Sequence, residues 1–579
     1  MGLRSGDATF VHSVHLDYVF RLIPQSPKKE ILNTMKITIL LVVVSLAALV
    51  GAFTAYAQNG SAFFYPGNLV VSRSVYDNNP NNVQVGMSLP PNCVPANGCS
   101  TAVTDGSYPF VFNNDGVDAS FGITSKILLD QITTTGALVN SLEVPNSSQN
   151  GVPPTKDQMV TSFPSKSELA LNLSTDGSLF TFMGYLAPIN AIDVSNSNTP
   201  AVFDGGDPVG ISNYRVVAQV DQHGKFHFTT TNAYSGNNGR AAILNNSLGA
   251  NAIYTAGNAG NNSESIQPTG IIIAAGAQIF TPEEKAIVAQ RPGFPTPVAS
   301  FNVTQLGDAV DKIGKDTNFR GLTIFDNVLY YTKGSGGNGV NTVYFVDTTG
   351  QVCDDTHGVG LPAAGAPLPL SGLAYNPDPA VLQAKGLDPN NMCVLNGFPT
   401  VLKSKTSFPF GIWFANDHTL YVADEGNGAV GKTVAGFYTP ATTQTTAGLQ
   451  KWILESGKWK LAYTLNASLN LGVPYTVPGY PTGINSGAGG TGLPWAPATD
   501  GLRNITGVVN GDTATIYAVT STISGSGDQG ADPNKLVAIT DTLSAVGPAP
   551  AGESFTTIKT AGYGEVLRGV SWTPGSARH

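Results

Sequence analysis

A repeated pair of β-strands is the feature that most limits the fold of this sequence. One unit consists of a first strand, a polar turn and a second strand with an apolar–aromatic pair. Clear copies lie at 322–334, 412–426 and 507–521, and diverged copies lie at 168–185 and 240–258. The apolar pairs begin 74, 76, 91 and 96 residues apart, at Leu179, Ile253, Leu329, Leu420 and Ile516. Such spacing indicates supersecondary units that stack into one fold.

Further strands and the two chain ends complete the pattern. Third and fourth strands follow the units at 214–230, 449–464 and 535–560. LRGVSWTP at 567–574 is a first strand without a second, whereas GNLVVSRS at 67–74 is a second strand without a first. Because residues 126–145 then supply a third and a fourth strand, the ends predict a sixth unit. The sequence therefore predicts an all-β, six-bladed β-propeller closed by its N- and C-terminal strands.

Two other architectures stay open at this stage. A seventh blade could be concealed in the long insertions near 75–125, 348–408 and 466–500. An array of β-sandwiches would also use short strands, but it does not predict complementary chain ends. Helical periodicity is confined to 281–290. Loops as long as these insertions are usually functional or disordered, and we interpret residues 58–579 as a single propeller domain with insertions.

Residues 1–57 are interpreted as a leader. From Met35 the chain has a positive Lys36, an apolar stretch from Ile37 to Phe53, and small residues at Ala55 and Ala57. This is the pattern of a secretory signal peptide at 35–57, although a membrane anchor of minimal length is the alternative. A start at Met35 would leave residues 1–34 untranslated. We expect a secreted, extracellular protein, or a periplasmic one in a bacterium, without stable membrane insertion after cleavage.

The four cysteines agree with an oxidising compartment. They allow three pairings, and we expect the local one, Cys93 with Cys99 and Cys353 with Cys393. In a eukaryotic host the chain would be a glycoprotein, because N-x-S/T sequons are glycosylation acceptors. The eight sequons begin at Asn59, Asn146, Asn172, Asn245, Asn261, Asn302, Asn466 and Asn504.

Charge excludes one class of partner. The formal net charge is −9, and 12% of the residues are charged, against about 25% in ordinary soluble domains. A basic nucleic-acid-binding surface is therefore not expected. We expect a monomer whose ligand is a small molecule, a glycan or another protein.

Repeat position predicts a ligand site on one face of the channel. The loops that enter the first strands and leave the second strands share that face. Arg240, Arg320 and Arg568 lie at strand entry, with Arg503 nearby, and Lys333 lies at a second-strand exit. Guanidinium groups bind carboxylate and phosphate well, so these residues are candidates for binding an anionic ligand. The alternative is structural, with each arginine bridging to an adjoining blade.

Several segments resemble a broad group of exported β-propeller proteins of unassigned function. They are LRGVSWTP, ITTTGALVNSLEVP, SGNNGRAAI, and TLYVADEGN with GLQKWILESGKWKLAYTL. The chain is also distantly similar to the NHL-repeat and SMP-30/gluconolactonase propellers. The resemblance covers the mature chain and implies its architecture rather than an activity.

Oxygen-bearing side chains on the same face suggest a cation site. Glu168, Asn258 and Asp424 could bind Ca²⁺ or another divalent cation, since hard cations prefer oxygen ligands. Propellers of the SMP-30 kind hold a divalent ion near this face, which the resemblance extends to this chain as an expectation. The alternative is that Asp424 pairs with a channel arginine.

Aromatic and nucleophilic candidates are few. Trp495, in the long loop 466–500, could stack on a sugar ring or could anchor its loop. The sequence lacks a G-x-S-x-G nucleophile elbow. The available bases fall mainly in predicted turns or exposed strands, and they are His223, His227, His357 and His418. Enzymatic activity stays undecided.

Two functions follow from these observations. The first is a secreted binding or scaffold protein for a small anionic or glycan ligand or for a protein partner. The second is a metal-dependent hydrolase of the lactonase or esterase type, which would need a divalent ion among Glu168, Asn258 and Asp424.

Overall fold

In the computed structural model, described residues run from 62 to 576 with gaps. The gaps are 94–98, 111–121, 201, 203–206, 208, 260–275, 283–297, 301–317, 335–338, 354–357, 370–390, 402–403, 405, 432–437, 487–489 and 528–529. The predicted leader at 1–57 and nearly all of the predicted helix at 281–290 lie outside the described residues. Among the described residues, no helix is both long and apolar enough to cross a membrane.

The described chain is almost entirely β-structure. Besides a 3-10 turn at Val194–Asn196 and a short helix at Thr439–Thr442, it forms 28 strands. In chain order they are β1 (Leu69–Val75), β2 (Ser88–Leu89), β3 (Ser100–Thr101), β4 (Thr124–Ile132), β5 (Leu138–Glu143), β6 (Thr161–Ser162), β7 (Asn172–Leu173), β8 (Leu179–Tyr185), β9 (Arg215–Asp221), β10 (Phe226–Thr231), β11 (Gly239–Asn245), β12 (Ala252–Gly257), β13 (Ala277–Phe280), β14 (Val298–Ser300), β15 (Phe319–Phe325), β16 (Val328–Lys333), β17 (Thr342–Asp347), β18 (Val359–Gly360), β19 (Asn391–Leu395), β20 (Pro409–Asn416), β21 (Thr419–Asp424), β22 (Gly448–Glu455), β23 (Lys458–Leu465), β24 (Ala498–Asn510), β25 (Thr513–Ile523), β26 (Lys535–Thr542), β27 (Thr556–Thr560) and β28 (Glu565–Trp572).

These strands form a six-bladed β-propeller, as the repeat predicted. Blade 1 contains β7–β10, blade 2 β11–β14, blade 3 β15–β19, blade 4 β20–β23 and blade 5 β24–β27. Blade 6 has the order β28-β1-β4-β5, and β6 pairs with β4. Successive inner strands, β7, β11, β15, β20, β24 and β28, surround a central channel. The small hairpin β2-β3 lies outside the blades.

The two ends of the described chain meet in blade 6. Strand β1 pairs antiparallel with β28, with Leu69 opposite Trp572 and Val71 opposite Val570. On its other edge β1 pairs with β4, so the N-terminal strand lies between the C-terminal strand and the rest of the sheet. The predicted closure is therefore confirmed. Closing the ring in this way removes free sheet edges that could pair with other chains.

Aromatic side chains fill the space between blades. Between blades 3 and 4, the Phe414 ring stacks on Phe325 at 4.6 Å between centroids and also contacts Tyr330 and Trp459. These residues follow the period-two alternation of strands, which turns every second side chain toward the next blade. Burial of such apolar surface is the main stabilising term of the fold.

Two of the long insertions pack together on the strand-entry side of the ring. Tyr108 of the first insertion lies 5.8 Å from Tyr480 of the third, between ring centroids, and both are buried. Val83 and Trp495 belong to the same apolar cluster. These parts of the insertions are thus ordered against the propeller.

Candidate functional site

Four arginines reach the channel from bulges in inner strands. Arg240, Arg320, Arg503 and Arg568 each lie where the pairing with the second strand shifts its register. A β-bulge leaves a residue unpaired and redirects its side chain. All four side chains are buried. The structure therefore brings together three arginines predicted from the repeat position and the nearby Arg503.

Glycines explain how neighbouring inner strands approach one another at these bulges. A Cβ atom added to Gly321 would lie 2.4 Å from the carbonyl oxygen of Phe410, and one added to Gly569 would lie 2.3 Å from that of Leu169. Such distances are too short for any side chain. The Arg-Gly pairs at 320–321 and 568–569 thus combine a channel charge with a close backbone contact between blades.

Glu425, directly after β21, is the acidic partner of two arginines. Its Oε1 lies 3.5 Å from Nη2 of Arg320, and its Oε2 lies 3.4 Å from Nε of Arg503. These residues come from blades 4, 3 and 5, so the ion pairs connect three blades. Glu425, the neighbour of Asp424, makes these two ion pairs, and a pairing of Asp424 with a channel arginine stays a prediction.

Residues 163–168, which we call the cap segment, cross the same end of the channel. Arg568 donates to the carbonyl oxygens of Phe163 and Ser165, and Arg320 donates to Oγ of Ser167. The segment therefore contacts arginines of blades 6 and 3. It also carries Lys166, which is half-buried.

Lys166 shares its surroundings with three arginines and one acid. Glu425 raises the pKa of Lys166, but burial and the charges of Arg320, Arg503 and Arg240 bring it down to about 8. Burial likewise lowers the pKa of Arg240, and Arg320 lowers it further. The charged forms of Lys166 and Arg240 are thus destabilised by neighbouring cations. We call Lys166, Arg240, Arg320, Arg503 and Glu425 the cationic cluster.

The acids in and beside this cluster differ in the direction in which their pKa values are shifted. Burial raises the pKa of Glu425, but Lys166 and the three arginines lower it below its ordinary value. Burial raises the pKa of Asp424 and brings that of Asp500 to about 7, with a further increase from Glu425 and Asp424. Glu425 is therefore the acid that ionises most readily among these three, beside four cations.

Arg240 is held by groups at the boundary of blades 2 and 3. Its Nε donates to Oδ1 of Asn238 at 3.0 Å, and its Nη1 donates to the carbonyl oxygen of Phe319 at 3.0 Å. Bridging of this kind is the structural alternative that the sequence left open. Arg320 and Arg568 show it too, since both donate to the cap segment.

Lys333 and Trp495 are both buried. The ammonium of Lys333 lies 5.8 Å from the centroid of the Phe319 ring. The Trp495 ring is 5% exposed and packs edge-on against Phe110, 5.1 Å away between centroids. This packing is that of a loop anchor. Ligand binding by either residue stays a prediction.

The proposed cation ligands already accept hydrogen bonds from the protein. Glu168 accepts from Thr161, from the backbone N–H of Ser162 and from Tyr185. Asp424 is surrounded in the same way. Its donors are the N–H groups of Phe408 and Gly426, the Ser407 hydroxyl and the Gln450 amide.

Asn258, the third proposed ligand, is buried. A divalent ion among Glu168, Asn258 and Asp424 stays a prediction. Elsewhere Asp347 lies near Cys353 and Cys393, but these two sulfurs are bonded to each other and offer no thiolate ligand.

Both predicted disulfides are confirmed. Cys93 pairs with Cys99 and Cys353 pairs with Cys393, with Cα–Cα distances of 5.8 and 5.6 Å. The second bond ties β19 of blade 3 to the loop after β17.

The asparagines of the described sequons differ in solvent exposure. Asn466 is exposed at the end of β23, and Asn172 is half-buried. Asn146, Asn245 and Asn504 are buried, and the amide of Asn245 donates to the Tyr254 hydroxyl. Asn59, Asn261 and Asn302 lie outside the described residues. Glycosylation stays a prediction, and Asn466 is the best placed of the described sequons.

Repeat-based reasoning missed Lys166 and Asp500. Repeat positions predict channel residues only at strand entry and second-strand exit, whereas Lys166 lies in the cap segment that precedes β7. Asp500 lies near the start of β24, whose bulge at Arg503 comes later in the strand than repeat spacing suggests. Charged residues are scarce in this sequence, and this scarcity was the available signal that Lys166 and Asp500 have a special role.

Solved structures similar to this chain were found at low identity. One is a chain of an S. cerevisiae complex of Dbp5 bound to Nup159 and Gle1 with IP6 and ADP. It is 8% identical over 67% of this chain and 78% of that chain, with a TM-score of 0.23. Prolyl oligopeptidase B from Galerina marginata, bound to a 35mer substrate, is 9% identical over 77% of this chain and 41% of that chain, with a TM-score of 0.23.

The N-terminal domain of Nup159 gives a similar result. It is 8% identical over 70% of this chain and 90% of that chain, with a TM-score of 0.22. No family model matches the chain, and no curated protein matches it. The likeness to NHL-repeat and SMP-30/gluconolactonase propellers thus stays a prediction.

Proposed function

We propose that this propeller is a binding protein that holds a small anionic ligand at the cationic cluster. One observation carries the proposal: four cations lie around Glu425, the acid among its neighbours whose pKa is lowered.

The charges of the cationic cluster lie in a poorly solvated place. Repulsion between Lys166 and the arginines is weakly screened there because little water reaches them. A bound carboxylate or phosphate would supply further negative charge and would raise the pKa of Lys166 again. Lys166 is half-buried, so an incoming anion can reach it more easily than the buried arginines.

Calorimetric titration with gluconate and with inorganic phosphate at low salt tests the proposal. In Lys166→Met the stem of the side chain is kept and the charge is lost, so we expect the affinity to fall about tenfold or more. Lys225→Met is the matched control, since Lys225 is exposed in the turn between β9 and β10. Equal affinities in the wild type and in Lys166→Met, or no binding of either anion, would refute the proposed site.

The same titration predicts a pH dependence. Lys166 has a pKa of about 8, and it loses its positive charge as the pH rises through this value. We therefore expect the wild-type affinity for gluconate, whose own charge is constant in this range, to decrease between pH 7 and pH 9. In Lys166→Met this decrease should be smaller, with the remainder due to ionisation of Asp500, and a decrease of equal size there would assign the effect to groups other than Lys166.

A further inference from the structure

The opposite end of the channel is lined by apolar, aromatic and uncharged polar side chains and carries little charge. Ile243 lies three residues after Arg240 and Trp572 four residues after Arg568, and Leu173 is at the corresponding end of the inner strand of blade 1. Here the six inner strands together enclose an open cavity of about 330 Å³. Its lining includes residues of every blade, so it forms only when the ring is closed.

The lining of this cavity contains one ionisable side chain. Asp326 lies in the two-residue turn between β15 and β16, and it is exposed. Asp326 and Asn327 have φ angles of 45° and 60°, which is the conformation of a type I′ hairpin turn. The cavity thus carries a single negative charge at its rim, whereas the cationic cluster has a net positive charge.

Aromatic rings make up much of the remaining wall. Phe325, Trp413 and Trp572 are each partly exposed there. Phe325 is held in place by its stack on Phe414, and Trp572 by its hydrogen bond to the carbonyl oxygen of Gly507 at 2.8 Å. The volume lies at the lower end of the range of ligand pockets, about 300–1,000 Å³. Such aromatic walls suit a ligand with a ring system.

We propose that this cavity binds an aromatic amine, with the rings against the apolar wall and the ammonium group at Asp326. Burial of the rings supplies most of the affinity. The carboxylate and the aromatic walls favour a cation over a neutral ligand and disfavour an anion. The site is chemically distinct from the cationic cluster and does not depend on the proposed function.

Three probes with one ring system test the charge preference. They are 1-naphthylmethylamine, 1-naphthylmethanol and 1-naphthoate, titrated by ligand-observed NMR into the whole protein at pH 7. We expect the amine to bind about three- to tenfold more tightly than the alcohol, and the carboxylate to bind most weakly. A wild type that does not prefer the amine would overturn the proposal.

Asp326→Asn tests the role of the carboxylate. Asparagine accepts a positive φ, so the turn is kept, and the amine should now bind no better than the alcohol. Asp417→Asn is the matched control, because Asp417 is an exposed acid in the corresponding turn of blade 4. A preference for the amine that survives in Asp326→Asn, or that is lost equally in Asp417→Asn, would overturn the role of Asp326.

A filling variant tests the location. Leu173→Trp places a larger side chain in the cavity, and we expect all three probes to lose binding at least about tenfold. Unchanged binding in the folded variant would place the probes elsewhere. If Leu173→Trp fails to fold, Asp326→Asn decides the question, and Lys166→Met, which should leave amine binding unchanged, separates this site from the cationic cluster.

Discussion

Asp500 shows how the interior of this propeller changes the chemistry of a single side chain. It is 2% exposed, and its Oδ2 accepts a hydrogen bond from the N–H of Gly428 at 2.8 Å. Within the described part of the chain, its Oδ1 has no hydrogen-bond donor. Because burial and two neighbouring acids disfavour the charged form, its pKa rises to about 7.

This raised pKa predicts a loss of stability with increasing pH. The folded state retains the proton of Asp500 up to about pH 7, whereas the unfolded chain releases it near pH 4. The contribution of Asp500 to the free energy of unfolding is thus present at low pH and lost as the pH rises from 4 to 7. In Asp500→Asn this loss should be smaller by roughly 3–4 kcal/mol.

Denaturant unfolding at pH 4, 5.5 and 7 measures this difference. Asp157→Asn is the control, since Asp157 is exposed, and its profile should follow that of the wild type. Parallel profiles for the wild type and Asp500→Asn would show that Asp500 ionises normally in the folded state.

At the scale of strands and blades, a buried ion pair connects blades 4 and 5. The ammonium of Lys451 on β22 lies 2.9 Å from Oδ2 of Asp541 on β26, and both side chains are fully buried. Lys451 also donates to the carbonyl oxygens of Thr542 and Ala545 at 2.6 and 2.9 Å. The Tyr463 hydroxyl donates to Asp541 at 2.7 Å, so the pair is well supplied with hydrogen bonds.

Lys451→Met is predicted to destabilise the fold strongly. It leaves the carboxylate of Asp541 buried without its cation, which typically costs about 3–5 kcal/mol. Lys460→Met in the adjacent strand β23 removes an exposed pair with Glu455 and should cost at most about 1 kcal/mol. The free energies of unfolding of the two variants give the comparison, and similar losses would contradict a special role for the buried pair.

At the scale of the whole molecule, the stability of the propeller depends on closure of the ring. The pairing of β1 with β28 joins the two ends, and Arg73 reinforces it by contacting Asp130 at 2.9 Å and also Glu565. Beyond the strands, the backbone N–H of Gly67 donates to the Ser576 hydroxyl at 2.9 Å. Each blade contacts mainly its neighbours, so an open ring would expose apolar faces on two blades.

Moving the chain ends tests the importance of closure. A chain that stops after residue 560 lacks β28, and we expect it to lose cooperative thermal unfolding. A circular permutant that joins residues 576 and 62 through a short linker, and opens between Ser456 and Gly457, keeps all the strands. Both opening residues have positive φ angles in the turn between β22 and β23. The permutant should unfold cooperatively within a few degrees of the wild type, and cooperative unfolding of the truncated chain would contradict the argument.

The sequence by itself determined the repeat, the number of blades, the closure by the chain ends and the local disulfides. These features are encoded over short distances, in the alternation of the strands, the spacing of units and the nearness of Cys93 to Cys99. Arg240, Arg320 and Arg568 could be placed at the channel for the same reason, because each occupies one position of the repeat.

The tertiary structure alone decided the partners of these arginines. Lys166 reaches the cluster through the cap segment, and Glu425 pairs with arginines of two other blades, which no repeat position predicts. The sequence also did not decide whether the long insertions are ordered, and the packing of Tyr108 against Tyr480 shows that parts of two of them are. Such contacts join residues hundreds of positions apart, and their geometry depends on the bulges and loop paths that form only when the blades assemble around the channel.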